Sequence, residues 1–285
     1  MIRRKFLRLA GSGALGLTFP NYINTFPLAN EGNISHEPIE WKYLTEGLEF
    51  SKTGIYKNKK LIDVITSVKI DPEKNKIRVF NGNTGDKVEI YSIKDWQNKT
   101  GALAIINGNQ YMKNPEYYPC GLVICDGNQI GPKHNQYSKG MLVAEPRNFG
   151  KKLKKADLLD FDYDEFDYKT TPYTQGVQHW PILLNREGKI RVNESDLEAN
   201  RTIIAKTKDD KILFMTTEDT YFTLYNLGKF FKESNGRTDN GYNIHTAMNL
   251  DGGPTSGMIV KSPKLEYSNN AQVKIPGIIG VFSRY

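Results

Sequence analysis

The chain has 285 residues, 38% hydrophobic and 25% charged, with 16 Tyr and 13 Phe, a composition that builds a packed core and excludes a disordered chain. Its formal net charge of +7 looks like a nucleic-acid signal until it is located. Arg3, Arg4, Lys5 and Arg8 supply four of those charges and the first 30 residues hold no acid, so the remainder carries 7 − 4 = +3, enough to attract anionic substrates but no basic stripe for a nucleic-acid partner.

The start, MIRRKFLRLAGSGALGLTF, sets paired arginines before Phe6-Leu7-Arg8 and a weakly apolar stretch, a pattern that resembles a twin-arginine export signal. The apolar part, Leu9 to Phe19, is shorter than the roughly 20 residues a helix needs to cross a bilayer. The sequence therefore divides into an export signal over 1–29, with cleavage near Ala29, a polar linker over 30–40 and one folded domain over 41–285. The expected location is exported, periplasmic or extracellular, with no membrane span in the mature chain.

Ordered structure is expected to begin near Trp41. LIDVITSVKI alternates up to Asp71-Pro72 and KIRVF follows across a short turn, which reads as a β-hairpin. Ser92 to Lys99 reads as a short helix capped by Ser92, with Trp96 on its buried side. GALAIINGNQY, GLVICDG and MLVAEP follow as strands, the first two running into Asn-Gly and Asp-Gly turns, so those turn residues stand at sheet ends where sites are common.

Cys120 and Cys125 are the only cysteines and fall in PCGLVIC, read as one extended strand. At about 3.3 Å per residue they stand roughly 16 Å apart, too far for a disulfide, so buried free thiols are expected. In DLLDFDYDEFDY, Asp160, Asp162 and Asp164 alternate with Phe161 and Tyr163, as in a half-buried strand. A calcium loop is disfavoured, because its sixth and twelfth positions call for Gly and Glu and are here Glu165 and Thr171.

WPILLNREGKIRV reads as a hairpin around Glu187-Gly188, and RTIIAKTKDDKILFMTT as another around Asp209-Asp210. YFTLYNLGKFFKES carries Leu224, Leu227, Phe230 and Phe231 at helical spacing. AMNLDGGPTSGMIV and VKIPGIIGVFSR end the chain as short strands broken by Gly or Pro. The expected fold is α+β: a single domain on a mixed, mostly antiparallel β-sheet with a few flanking helices. Oligomeric state is not legible.

NLDGGPTSGM carries the clearest chemistry. Apolar residues deliver Asp251 into Gly252-Gly253-Pro254, and Thr255 and Ser256 add hydroxyls. Paired glycines let backbone approach a ligand, and consecutive N–H groups in such a turn can form an anion-binding nest. Asp251 beside it can serve as acid, base, nucleophile or metal ligand.

LDGGPTS, with a helix and RTIIAKTKDDKILFMTT before it, resembles the signature of the phosphodiester glycosidase family. That family contains the N-acetylglucosamine-1-phosphodiester alpha-N-acetylglucosaminidase catalytic domain and many exported bacterial members. AIINGNQY, PCGLVICDG and VKIPGIIGV fall in the family's order, so the resemblance extends over about 41–285 and is strongest in the last 85 residues. It implies that Asn107 and Gly108 form the family's Asn-Gly turn, Arg201 opens its RTxIA strand, Asp251, Gly252 and Gly253 make its acidic turn, and Ser256 follows as its small hydroxyl residue. Asn109-Gln110-Tyr111 and Pro254-Thr255 depart from the family's usual steps.

The implied activity is an exported hydrolase acting on a glycosyl phosphodiester or related sugar-phosphate glycan. In that reading Asp251 is catalytic, Arg201 offers a planar fork to phosphate or carboxylate oxygens, and Asn107, Gly108, Gly252, Gly253, Thr255 and Ser256 contact substrate. A glycosidase normally pairs two carboxylates. Glu218, at the end of ILFMTT, is the second candidate, with Asp219 as its rival, though both could cap the following helix. Gln178 and His179 are further substrate-contact candidates. No cofactor is implied, and a divalent metal is left open. The competing reading is a non-catalytic periplasmic glycan-binding or exopolysaccharide-assembly protein, marked by one carboxylate among aromatic platforms such as Tyr111, Tyr117 or Tyr118.

Overall fold

A computed structural model describes residues 34–83, 87–112, 116–133, 135–147, 152–235 and 241–285. The expected signal over 1–29 lies outside the described residues. In chain order, the first strands are β1 (Ile34–His36), β2 (Lys42–Thr45), β3 (Leu48–Lys57), β4 (Lys60–Ile70) and β5 (Asn75–Asn81). Helix α1 (Ile93–Thr100) leads to β6 (Ala104–Asn107), β7 (Tyr111–Met112), β8 (Tyr118–Pro119), β9 (Val123–Cys125), β10 (Asn128–Ile130), β11 (Gly140–Pro146) and β12 (Ala156–Asp160). β13 (Tyr173–His179), β14 (Ile182–Leu184), β15 (Thr202–Thr207) and β16 (Ile212–Thr217) precede α2 (Leu224–Asn235). The chain closes with β17 (Ile244–Asn249), β18 (Met258–Ser262), β19 (Leu265–Asn269) and β20 (Gly277–Ser283).

These strands form three main sheets, ordered β1-β3-β4-β16-β15-β17-β14 with β2 flanking β3, β10-β9-β13-β11-β12, and β19-β18-β6-β20-β5. Every pairing between them is antiparallel among the described residues. One core lies between the three sheets, joining Val68 and Phe214 of the first, Leu142 and Val177 of the second, and Ile106 and Ile279 of the third. The outer face of the first sheet packs Ile203, Ala205 and Leu213 against Leu227 and Phe231 of α2. Strands β15 and β16 are therefore buried on both faces, which is why they read as continuous apolar runs rather than alternating ones. The segment Asn33–Tyr285 is one compact unit, and among its described residues no helix is long and apolar enough to cross a membrane.

Local signals placed several elements correctly. Ser92 caps α1 by accepting from Asp95 N at 3.1 Å, Gly101 ends it at φ 65°, and Trp96 is buried. Asp126 and Gly127, at φ 49° and 85°, turn β9 into β10 as a type I′ turn does.

Other expectations are corrected. Pairing begins at Ile34–His36 against β3, inside the stretch read as a linker. β4 and β5 are not a hairpin: β4 pairs with β3 and β16, while β5 crosses to β20 in another sheet, because Val79 and Ile77 complete the shared core. PCGLVIC is not one strand: Pro119 ends β8 and only Val123–Cys125 forms β9, and both free thiols are half-buried. The acidic run leaves the strand at Asp160, whose carbonyl accepts from Tyr163 N and Asp164 N, each at 2.8 Å. Arg191 and Arg186 hold Asp162 and Asp164 in that turn. A backbone contact also fixes Gly121, where an added Cβ would lie 2.3 Å from Gln178 O. Gly121→Ala is expected to lower stability by about 1–3 kcal/mol in thermal denaturation.

Candidate active site

The loop from Leu250 to Gly257 joins β17 of the first sheet to β18 of the third, and Asn107 at the end of β6 clamps it. The Asn107 side chain donates from Nδ2 to Asp251 O at 2.8 Å. Its Oδ1 accepts from Thr202 Oγ1 at 2.6 Å and from Gly257 N at 3.1 Å. Asn107 is thus buried and engaged with protein on both sides, which makes it a positioning residue for Asp251. Gly108 N donates to Gly277 O at 3.1 Å, and an added Cβ there would meet Gly277 O at 3.2 Å, so this glycine permits close strand packing.

Asp251 is half-buried, and burial raises its carboxyl to about 6 despite hydrogen bonds from Thr255 and Gly252 N. Gly252 N donates to Asp251 Oδ1 at 3.1 Å and Gly253 N to Asn200 O at 2.8 Å. Thr255 Oγ1 donates to Gly252 O at 3.0 Å. The two glycine amides are therefore already engaged and form no free anion nest. Gly253 is needed for its φ of 66°, while an added Cβ on Gly252 would stand 3.0 Å from Asn200 O and 3.8 Å from Arg201 Nη1. Ser256 is buried, with its Oγ unpartnered among the described residues.

Asp251 lies where two clefts meet. One, of about 590 Å³, includes Gln110, His179, Trp180, Arg201, Asn249 and Asp251 in its wall. The other, of about 540 Å³, includes Tyr111, Glu116, Tyr117, Asp251, Thr255 and Lys274. Arg201, just before β15, is only 6% exposed. Its Nε donates to Phe222 O at 3.0 Å and its Nη2 to Leu197 O. No carboxylate pairs with it among the described residues, and burial lowers its pKa.

His179 is buried in the wall of the same cleft, and desolvation holds its imidazole down to about 4, partly offset by hydrogen bonds to the backbone of Trp180 and Asn249. His179 is therefore neutral at physiological pH. Gln178, one residue earlier, points to the opposite face of β13. Its Oε1 accepts from Leu122 N at 3.1 Å, and its Nε2 donates to Asn135 O at 3.1 Å and Ser138 O at 2.8 Å. It lines a separate cavity with Lys133 and Phe161.

Glu218 lines neither Asp251 cleft. Its Oε1 accepts from Tyr267 Oη at 2.7 Å and Thr66 Oγ1 at 2.9 Å and pairs with Lys52 Nζ at 3.0 Å. Burial raises its pKa, but Tyr267, Lys52 and Thr66 together outweigh that and leave it lowered. Neither Glu218 nor Asp219 caps α2. Asp63 Oδ1 accepts from their amides at 3.2 and 2.9 Å, and Thr223 Oγ1 caps the helix by accepting from Asn226 N at 3.1 Å. Glu218→Gln is expected to keep hydrolysis within about threefold and to lower stability by about 1–2 kcal/mol in urea titration.

The acid that does share a cleft with Asp251 is Glu116, which no motif or periodicity marks in the sequence. Tyr111 and Tyr117 line that same cleft, whereas Tyr118 belongs to a different cavity with Asn81, Asn83 and Cys125. Trp180 was also unmarked, and only the fold shows it 39% exposed in the wall of the Arg201 cleft. Among the described residues no group of three or more His, Cys, Asp or Glu is arranged to hold a metal ion.

A family model described as phosphodiester glycosidase matches residues 100–282, the stretch that contains Asn107, Glu116, Arg201 and Asp251. Comparison with curated proteins gives no match. Among solved structures, a hypothetical protein from Synechocystis is similar at 12% identity and a TM-score of 0.58. The alignment covers 87% of this chain, and the chain spans 64% of that protein's length. The zebrafish N-acetylglucosamine-1-phosphodiester alpha-N-acetylglucosaminidase catalytic domain, auto-inhibited by its pro-peptide, is similar at 13% identity and a TM-score of 0.56. There the alignment covers 91% of this chain and 86% of the other. At these identities the likeness concerns the fold.

Proposed function

Because the chain belongs to the phosphodiester glycosidase family, we propose that it is an exported hydrolase that cleaves the sugar–phosphate linkage of a glycosyl phosphodiester or related glycan. The observation that carries this reading is the place of Asp251, a half-buried carboxyl at the junction of two clefts, with the unpaired Arg201 cation in one wall. The paired arginines of the leader support export.

In hydrolysis the bond between the anomeric carbon and the phosphate oxygen breaks, water supplies the new oxygen, and a phosphomonoester leaves. That leaving group has a conjugate acid near pKa 6, so it needs charge stabilisation more than a proton. A buried guanidinium such as Arg201 supplies that stabilisation. Asp251 is then required in its ionised form, as the base that activates water or as the nucleophile. Glu116, in the same cleft as Asp251, is the second carboxylate available to the reaction. The presence of two acids there favours an enzyme over a glycan-binding protein.

The zebrafish relative's name gives an N-acetylglucosamine 1-phosphodiester as its substrate, so that linkage is the first to test. The full chain is expected to release free sugar and phosphomonoester, with a rate that falls as pH drops through about 6, where Asp251 takes up its proton. Release of sugar 1-phosphate instead, or no turnover from acid to mildly alkaline pH, contradicts the proposal.

A further inference from the structure

A groove apart from Asp251 opens beside β10, which stands at the edge of the second sheet and pairs only with β9 among the described residues. It consists of two cavities. One, of about 590 Å³, has Asn81, Tyr118, Asn128, Gln129 and Ile130 in its wall. The other, of about 560 Å³, includes Asn135, Phe161, Phe166 and Tyr168. Lys133 belongs to both walls, so the cavities meet there, and neither shares a wall residue with the two clefts at Asp251. The seam between the second and third sheets, which supplies the first wall, is tied: Cys125 Sγ donates to Val79 O at 3.0 Å, and Gln175 Oε1 accepts from Val79 N at 2.8 Å. Asn81 ends β5 with its Oδ1 accepting from Asn83 N at 2.8 Å. That bond fixes the amide and leaves Nδ2 buried without a partner among the described residues. Gln129 Nε2 donates to Tyr168 O, so its Oε1 is the atom left to accept. A buried donor with nothing to meet is costly unless a ligand completes it.

The chemistry of this wall selects its ligand. An amide donor, an amide acceptor and the apolar side chain of Ile130 complement the carbonyl, the N–H and the methyl of an acetamido group. Tyr118 in one cavity and Phe166 and Tyr168 in the other offer flat apolar faces of the kind sugar rings pack against. The charged residues of the second wall, Lys133, Lys139, Asp164, Glu165 and Asp167, nearly cancel, so the groove suits a neutral chain over a polyanion. We propose that it is a second, non-catalytic binding site for a neutral glycan chain bearing acetamido groups. Asn81 Nδ2 takes the acetamido carbonyl, Gln129 Oε1 its N–H and Ile130 its methyl, while the aromatic faces hold rings on either side of Lys133. The site goes beyond the hydrolase reading: it anchors the protein to a polymer whatever bond is cleaved at Asp251.

Calorimetry on the full chain tests this with chitotetraose, the tetramer of N-acetylglucosamine, and with cellotetraose, which lacks the acetamido groups. Chitotetraose is expected to bind about tenfold more tightly. Asn81→Asp keeps the acceptor for Asn83 N but turns the free donor into an acceptor, and should weaken chitotetraose about tenfold. Tyr118→Leu keeps apolar bulk but removes the flat face, and should weaken both tetramers about fivefold. Equal affinity for the two tetramers, binding of neither, or insensitivity to both variants overturns the site. The readout is binding, so turnover at Asp251 neither supports nor contradicts it, and loss of this site would leave the hydrolase reading standing.

Discussion

Asp251→Asn is expected to abolish hydrolysis by at least about a thousandfold and, at neutral pH, to make the protein more stable. The two effects share one cause. Burial raises the Asp251 carboxyl from its ordinary value near 3.8 to about 6, so the folded chain resists ionisation that the unfolded chain accepts freely. Below the ordinary value both states are protonated and no cost arises. Between the two values the unfolded chain ionises first, and above about pH 6 the folded state bears the full penalty. At about 1.4 kcal/mol for each tenfold change in acidity, that penalty is about 2–3 kcal/mol. Asparagine keeps an acceptor for Gly252 N and removes the charge. Urea titrations should therefore show a gain of about 2 kcal/mol above pH 6 that vanishes in acid. A variant that loses activity and gains no stability would place the inactivity in a disturbed loop instead of the missing charge.

Asn107→Ala carries the second large effect. It leaves Thr202 Oγ1, Gly257 N and the carbonyl of Asp251 without the partners they hold at 2.6, 3.1 and 2.8 Å. Each buried group so abandoned costs about 1–3 kcal/mol, and a total near 4 kcal/mol is expected in denaturant titration. Freed from β6, the Asp251 loop should shift, and a misplacement of about 1 Å can lower the rate about a hundredfold. Because Asn107 spends its side chain on protein, the loss should appear in kcat with KM little changed. A raised KM with unaltered stability would mark Asn107 as a substrate contact.

The parts of this fold that were legible in sequence are those whose signals are local. A serine three residues before an aspartate, a glycine after the last helical residue, an Asp-Gly turn and a run of helical-period apolar residues each determine their own geometry. The Asp251 loop was legible in part for the same reason: Gly253 is required by its own φ of 66°, whereas Gly252 is held to glycine by Asn200, distant in sequence. What escaped were features decided across sheets. The short turn after Asp71 invites a hairpin, yet Ile77 and Val79 gain more by completing the core from another sheet. Two glycine amides look free until Asn200 and the Asp251 carboxylate arrive to take them. Glu218 ends an apolar strand as a site residue might, but Lys52, Thr66 and Tyr267, distant in sequence, hold it in a structural cluster. Glu116, Gln110 and Asn249 gain meaning only from the clefts they line, and no pattern along the chain shows a cleft.

The most direct measurement is hydrolysis of an N-acetylglucosamine 1-phosphodiester by the full chain in oxygen-18 water, followed by mass analysis of both products. Attack at the anomeric carbon beside Asp251 predicts label in the sugar hydroxyl, with an unlabelled phosphomonoester and no product from Asp251→Asn. Label in the phosphate, or undiminished turnover by that variant, would contradict the account.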